Sequence, residues 1–261
     1  MAGRVMIDVQ TNRGLAILEL SNPDRQNAIS AGMWDSIEKF ARSAVDRQDI
    51  RVIIVRGSGG IFSAGADISD FDAARSNASE ARAYDDLIEM TCRQLEAVPQ
   101  PTIALINGIC FGGGASLAAS CDLRVASEDA VFAVPAAKLG LGYDVRGIQR
   151  FVRVFGAGAT AFLLYTADRL SANRAHAFGA VHVLAPKAHS ERVAFELADR
   201  IASNAPLTIR AAKLGIRAIT QGVDGLLTEA ERLASAADSS ADYREGRTAF
   251  AEKRKPHFAG C

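Results

Sequence analysis

The sequence predicts an α/β fold in which helices connect parallel strands. Apolar, largely β-branched runs at residues 52–55 and Thr102–Ile106 are typical of strands covered on both faces. A helix is expected between them, over about residues 79–97, because Pro99 and Pro101 follow and a helix rarely continues into proline. The order strand, helix, strand therefore indicates parallel strands joined by crossovers.

The first fifty residues predict a β-hairpin followed by a helix. Runs at residues 5–10 and 15–20 are apolar or alternating, and an Asn-Arg-Gly turn joins them. Ser30 is expected to cap the helix, since a serine side chain can accept from the free N–H groups of a first turn. The expected apolar stripe of that helix consists of Trp34, Ile37, Ala41 and Ala44.

The last third of the chain, from Gly156 onward, predicts mostly helix. No strand-like run follows residues 181–184. We therefore expect a core over residues 1–200 and a C-terminal helical region over residues 201–261 that carries an oligomer contact. The expected helices lie near residues 157–166, 171–178, 187–204, 206–220, 222–237 and 239–252.

Composition argues against several classes of partner. The 261 residues include 30 Lys and Arg and 30 Asp and Glu, so the formal net charge is zero and no general attraction to nucleic acid or an anionic membrane is expected. No apolar run approaches the ~20 residues of a membrane span, and the N-terminus lacks the apolar core of a signal peptide. Four cysteines without C-x-x-C spacing favour reduced thiols. We expect a soluble cytoplasmic protein without a metal site.

A glycine turn lies within residues 107–122, NGICFGGGASLAASCD, between the predicted strand Thr102–Ile106 and a predicted helix. Gly112, Gly113 and Gly114 leave the turn without Cβ atoms, so a ligand can approach the backbone closely. The N–H groups at a helix N-terminus favour negative charge. Phosphates and oxyanions both satisfy this preference, and a packing turn without a ligand is an equal alternative.

A second glycine-rich loop, GSGGIFSAGADI, follows the run at residues 52–55 and narrows the choice of chemistry. The dinucleotide pattern G-x-G-x-x-G fails at Phe62, and no Gly-Lys-Ser/Thr follows either turn as a P-loop requires. The histidines lie far along the chain, and the acidic residues near the loops are not clustered as metal ligands. The arrangement that remains is a pair of backbone N–H groups, near Ala66 and Gly113, pointing at one oxygen.

Four blocks in order, NPDRQNAIS, FSAGADI, NGICFGGGASLAASCD and FAVPAAKLGLG, resemble the enoyl-CoA hydratase/isomerase, or crotonase, superfamily. The resemblance extends to the ending FAEKRKPHF. It implies a crotonase-like spiral of ββα units with a C-terminal helical trimerisation region, hence a homotrimer or a dimer of trimers. It also implies a lyase or isomerase of fatty acid metabolism that binds an acyl-CoA thioester through the N–H groups of Ala66 and Gly113. Coenzyme A is then part of the substrate, and no separate cofactor is expected.

The resemblance also assigns a coenzyme A site. It places the adenine against the loop of residues 64–67 and puts Arg25 and Lys253 near the phosphates, so Ala64, Asp67 and Ile68 join them as predicted contacts. Ordinary roles compete with these assignments. Arg25 and Lys253 are also typical of solvated surface charges, and Asp67 is also a suitable cap for a short helix beginning at Ile68.

The sequence departs from the family where proton transfer is concerned. The two glutamates of the hydratases that it resembles are replaced by Ser116 and Ala136. Alanine cannot transfer a proton, and a serine without a base transfers one poorly. Ser116 is alternatively a helix residue that bonds to the backbone.

A remaining acid, Asp144, matches the position of a functional aspartate in dienoyl-CoA isomerases and aryl-CoA dehalogenases. We expect Asp144 to face an apolar pocket that raises its carboxyl pKa. The alternative is that Asp144 caps the helix beginning near Val145. Tyr143 is a lesser candidate as a hydrogen-bond donor or a packing residue. The reactions left open are isomerisation, hydrolysis or dehalogenation through Asp144, noncanonical hydration, and coenzyme A binding without catalysis.

Overall fold

The computed structural model describes residues 3–68 and 77–261, and two sheets organise these residues. The main sheet has the order β1-β2-β3-β4-β6-β9, with β1 antiparallel to β2 and the other pairs parallel. A smaller sheet has the order β5-β7-β8. In chain order the strands are β1 (Arg4–Gln10), β2 (Leu15–Ser21), β3 (Val52–Gly57), β4 (Thr102–Ile106), β5 (Ile109–Phe111), β6 (Leu123–Ser127), β7 (Val131–Ala133), β8 (Leu170–Ser171) and β9 (Val183–Ala185). The predicted hairpin and the parallel crossovers are confirmed.

Helices connect the strands and make up most of the C-terminal third. The element Val145–Thr166 is interrupted at Gly156, whose φ of 76° and ψ of 162° are not helical, so the helix expected near residues 157–166 is its second segment. The other predicted helices are present within a few residues of the expected ends. In chain order the helices are α1 (Ala31–Ala44), α2 (Ala78–Ala97), α3 (Gly112–Ala119), α4 (Val145–Thr166), α5 (Ala172–Ala177), α6 (Ser190–Ala202), α7 (Pro206–Gln221), α8 (Asp224–Asp238) and α9 (Ala241–Glu252).

Alternate residues of the parallel strands face two different hydrophobic clusters, because side chains along a strand point to opposite faces. On one face, Val52, Ile54 and Leu105 pack with Ala194 and Ala198 of α6. On the other face, Ile53, Val55 and Ala104 pack with residues of α1 and α2. This double covering explains why these strands read as continuous apolar runs rather than alternating ones.

Helix α1 is a rigid support beneath the glycine turn. The Ser30 side chain accepts from the Met33 N–H, as the predicted cap requires, and the four residues of the predicted stripe are fully buried. Trp34 is among them, and its ring reaches the region of Gly113. The element that places the turn is therefore itself anchored in the core.

Within residues 3–68 and 77–261, no helix combines the length and the apolar character needed to cross a bilayer.

Candidate active site

The two glycine-rich loops lie side by side because Ser63 pairs with β5. The Ser63 N–H donates to the Ile109 carbonyl (3.0 Å), and the Phe111 N–H donates to the Ser63 carbonyl (2.9 Å). The Ser63 hydroxyl donates to the Asn27 carbonyl (2.8 Å) and accepts from the Gly65 N–H (3.1 Å). These bonds hold the segment leading to Ala66 against the strand leading to Gly113.

The N–H groups of Ala66 and Gly113 are both available to a ligand. Ile29 is bonded to the two neighbours of Ala66, so the Ala66 N–H points to the opposite side of this parallel bridge. Gly113 lies in the first turn of α3, where an N–H has no intrahelical acceptor. Neither N–H has a hydrogen-bond partner in the described parts of the chain.

The close approach of these loops requires glycine at each position of the turn. Gly112 has a φ of 46°, in the left-handed region. A Cβ at Gly113 would lie 3.1 Å from Trp34 Cζ2 and 3.3 Å from the Ala66 nitrogen. A Cβ at Gly114 would lie only 2.7 Å from the Ser63 Cβ. The Gly113 and Ala66 backbones are thus near neighbours, as an oxyanion hole requires.

Both N–H groups border a largely apolar pocket with a cavity volume of about 140 Å³. Ile68 and Leu139 are more than half exposed and lie at its mouth, whereas Glu89 and Arg150 are almost completely buried and lie at its closed end. The pocket brings together many of the residues singled out in the sequence. These are Ala64, Ala66, Ile68, Gly113, Ser116, Ala136, Tyr143 and Asp144.

Ser116 and Tyr143 form a hydrogen-bonded pair in the wall of the pocket, with their oxygens 2.8 Å apart. Tyr143 is also in ring contact with Phe151 of α4, at a centroid distance of 5.9 Å. Burial raises the pKa of the Tyr143 phenol above its ordinary value. The pair therefore presents neutral hydroxyl groups that can donate hydrogen bonds at physiological pH.

Asp144 does not have the environment expected of a proton-transfer acid. Its carboxylate accepts from the Arg146 backbone N–H (2.8 Å), capping α4, and from the Arg146 Nη2 (2.6 Å) and Nε (3.0 Å). These bonds hold its pKa below the ordinary value for aspartate, although it lines the pocket. The expectation that desolvation raises this pKa is wrong, because Arg146 stabilises the charged form more than burial disfavours it.

The residues predicted to contact coenzyme A are only partly assembled within one chain. Ala64 and Ile68 line the pocket mouth. Arg25 is paired with the buried Asp67 through an Nη1–Oδ1 distance of 2.8 Å. Lys253 is exposed at the end of α9 and is not among the residues that line the pocket.

Sequence reasoning missed the charged residues at the closed end of the pocket. Glu89 of α2 and Arg150 of α4 are ion-paired there, with Arg150 Nη2 lying 2.9 Å from Glu89 Oε2. The sequence contains a signal for both, since Arg150 lies between the buried Gly147 and Phe151 of its helix and Glu89 lies about one turn before the buried Cys92. A charge in register with an apolar stripe indicates a buried partner.

The described residues thus combine an α/β fold with two unpaired N–H groups beside one pocket, an arrangement that can hold an oxygen carrying negative charge. The family model for enoyl-CoA hydratase/isomerase matches residues 10–260. The chain belongs to this family.

Individual relatives align over nearly their whole length. A crotonyl-CoA hydratase of Syntrophomonas wolfei is 34% identical, with 97% of each chain covered. Methylmalonyl-CoA decarboxylase of Escherichia coli is 31% identical, covering 97% of this chain and 98% of its own. The crystal structure of an enoyl-CoA hydratase/carnithine racemase from Magnetospirillum magneticum superposes with a TM-score of 0.91 at 32% identity, covering 98% of this chain and 96% of that one. These similarities confirm the crotonase fold expected from the sequence.

Proposed function

We propose that this protein is an acyl-CoA enzyme that stabilises a thioester enolate between the N–H groups of Ala66 and Gly113. The observation that carries the proposal is that both N–H groups lack a partner in the described residues and border the same pocket. Negative charge on the thioester oxygen grows as an enolate forms. Two prearranged donors stabilise this charge without reorganising, and losing one such donor typically costs about 3 kcal/mol.

Hydration by two glutamates is not the chemistry that these residues support. The resemblance places Ser116 and Ala136 at the positions of those glutamates, and Asp144 is engaged by Arg146. The hydroxyl pair of Ser116 and Tyr143 is then the best placed polar group for delivering a proton to an enolate. Isomerisation would need a base in addition, and hydrolysis or dehalogenation through Asp144 would need that carboxylate released from Arg146.

A second candidate, decarboxylation of a 2-carboxyacyl-CoA, is favoured by Ser116 and Ala136 standing where the resemblance expects the two glutamates. Breaking the bond between Cα and the carboxylate releases carbon dioxide and leaves the electron pair on Cα, delocalised onto the thioester oxygen. The enolate therefore forms without proton abstraction, and Tyr143 would only have to supply a proton afterwards. The Escherichia coli relative is named a methylmalonyl-CoA decarboxylase, which agrees with this route.

The test is a turnover screen with saturated, enoyl, 2-carboxyacyl and aryl CoA esters, combined with exchange of Cα hydrogen for deuterium in heavy water. Enolate formation predicts Cα exchange or carbon dioxide release with at least one ester. Calorimetric binding of acetoacetyl-CoA without any exchange or turnover would instead identify a coenzyme A binding protein. The absence of binding at millimolar ligand would overturn the assignment to acyl-CoA.

We further propose that residues 201–261 form the contact of a homotrimer or a dimer of trimers. Large apolar side chains of this region are exposed in the single chain, including Ile219 at 72% and Phe250 at 87%. Assembly would cover such side chains, since large exposed patches usually mark interaction surfaces. Assembly would also offer Lys253 a route to coenzyme A bound beside Arg25. Light scattering that finds a stable monomer at micromolar concentration would contradict the trimer.

A further inference from the structure

The closed end of the acyl pocket is charged, which is unusual for a site that receives a hydrocarbon chain. Arg150 lines the pocket with only 2% of its side chain exposed. Its Nη2 lies 3.1 and 2.9 Å from the two carboxylate oxygens of Glu89, and its Nε lies 2.7 Å from Glu96 Oε1. Of the two glutamates, only Glu89 lines the pocket.

The Arg150 guanidinium has one nitrogen left over. Nε and Nη2 are used by the two glutamates, whereas Nη1 donates to no group in residues 3–68 or 77–261. The side chain as a whole is 2% exposed, and a guanidinium N–H in such a place usually meets an acceptor from the protein, a ligand or water. Because Arg150 borders the pocket, an occupant of the pocket can supply this acceptor.

The charges around Arg150 leave room for one more acceptor. Arg93 and Arg150 share Glu89, and Arg150 and Arg153 share Glu96, so three guanidinium groups face two carboxylates. The other acidic residues that line the pocket are Asp144, which is paired with Arg146, and Asp85 of α2. The cluster therefore has an excess of positive charge, and an added oxygen at Nη1 would be attracted to it rather than repelled.

We propose that the acyl group of the natural substrate carries an oxygen at its far end, and that this oxygen accepts a hydrogen bond from Arg150 Nη1. The inference rests on the proposed acyl-CoA function and narrows its substrate class. A plain alkyl chain reaching this wall would desolvate Nη1 without giving it a partner. A ketone or carboxylate oxygen of similar size would pair with it, and hydrogen bonds to charged donors are stronger than neutral ones.

Three matched CoA esters test this proposal by calorimetry: 4-methylpentanoyl-CoA, 4-oxopentanoyl-CoA and succinyl-CoA. Their acyl ends have nearly the same shape and differ in carrying no oxygen, a neutral carbonyl or a carboxylate. A second set of three esters, each with two more methylene groups between the thioester and the acyl end, tests a longer acyl chain. At one or both lengths we expect an oxygen-bearing ester to bind at least about 10-fold more tightly than its alkyl analogue. Preference for the ketone over the carboxylate, or the reverse, identifies the form of the oxygen.

Arg150→Lys and Arg153→Lys are matched variants that separate recognition from packing. Both keep a positive charge for Glu96, but only Arg150 lines the pocket. We expect Arg150→Lys to reduce the preference for oxygen-bearing esters to less than about 3-fold, and Arg153→Lys to retain it. If Arg150→Lys does not fold, the ester series on the unaltered protein still decides the question.

The outcomes distinguish this inference from the function on which it rests. If no ester binds, the acyl-CoA function is wrong. If all esters bind and the alkyl analogues bind as tightly as the others at both lengths, the function stands and the inference about the acyl end is wrong. A preference that survives unchanged in a folded Arg150→Lys protein would also overturn the role of Arg150.

Discussion

Substituting Gly113 by alanine tests the oxyanion hole directly. The added Cβ would lie 3.1 Å from Trp34 Cζ2 and 3.3 Å from the Ala66 nitrogen, whereas favourable contacts of carbon atoms lie at about 3.5–4.0 Å. Trp34 is fully buried and cannot move freely, so the turn has to shift by a few tenths of an ångström. The methyl group would also lie between the two donors.

The expected cost falls on catalysis rather than on folding. Gly113 does not have a positive φ, and alanine is a better helix former than glycine, so we expect the free energy of unfolding to change by no more than about 1 kcal/mol. Losing one oxyanion donor typically lowers kcat by about 10²–10³-fold. We therefore expect at least a 10²-fold fall in the rate of Cα deuterium exchange or of turnover.

Gly32→Ala is the matched control, because Gly32 is the second residue of α1 as Gly113 is of α3, and its Cβ would meet no atom within 4 Å. Exchange rates and urea denaturation of both variants are the measurements. A folded Gly113→Ala protein that exchanges Cα hydrogen as fast as Gly32→Ala would refute the assignment of Gly113 as a donor.

Three further predictions concern Tyr143 and Asp144 at the pocket and His182, which directly precedes β9. Tyr143→Phe keeps the ring contact with Phe151 but removes the hydroxyl bonded to Ser116, so kcat should fall at least 10-fold with little change in coenzyme A affinity; unchanged kcat would exclude proton delivery by Tyr143. Asp144→Ala should lower the free energy of unfolding by about 1 kcal/mol through loss of the cap, while Asp144→Asn retains stability and turnover; loss of turnover in a folded Asn variant would restore Asp144 as a catalytic group. His182 accepts from the Arg124 N–H, and desolvation lowers its pKa to about 4, so the unfolded state binds more protons between pH 6.5 and 4 and the free energy of unfolding should fall as the pH falls through this range. His182→Asn should flatten that part of the plot of urea midpoint against pH, and a plot identical to that of the unaltered protein would contradict the reasoning.

The sequence by itself determined the local elements and the family. Apolar runs and caps predicted the strands and helices because their signals lie within a few residues of one another, as Ser30 and the buried stripe of α1 illustrate. The two glycine-rich loops predicted unpaired N–H groups near Ala66 and Gly113, because glycine content and a helix N-terminus are local features. The resemblance then supplied the family, which the match over residues 10–260 confirms.

Tertiary structure decided what surrounds that site. Glu89 and Arg150 are 61 positions apart, and only the packing of α2 against α4 pairs them at the end of the pocket. The pKa of Asp144 likewise depends on the direction of the Arg146 side chain, which residue spacing does not specify. In both cases desolvation disfavours the charged side chain and a charged partner favours it, and distances that exist only in the folded chain decide which effect is larger.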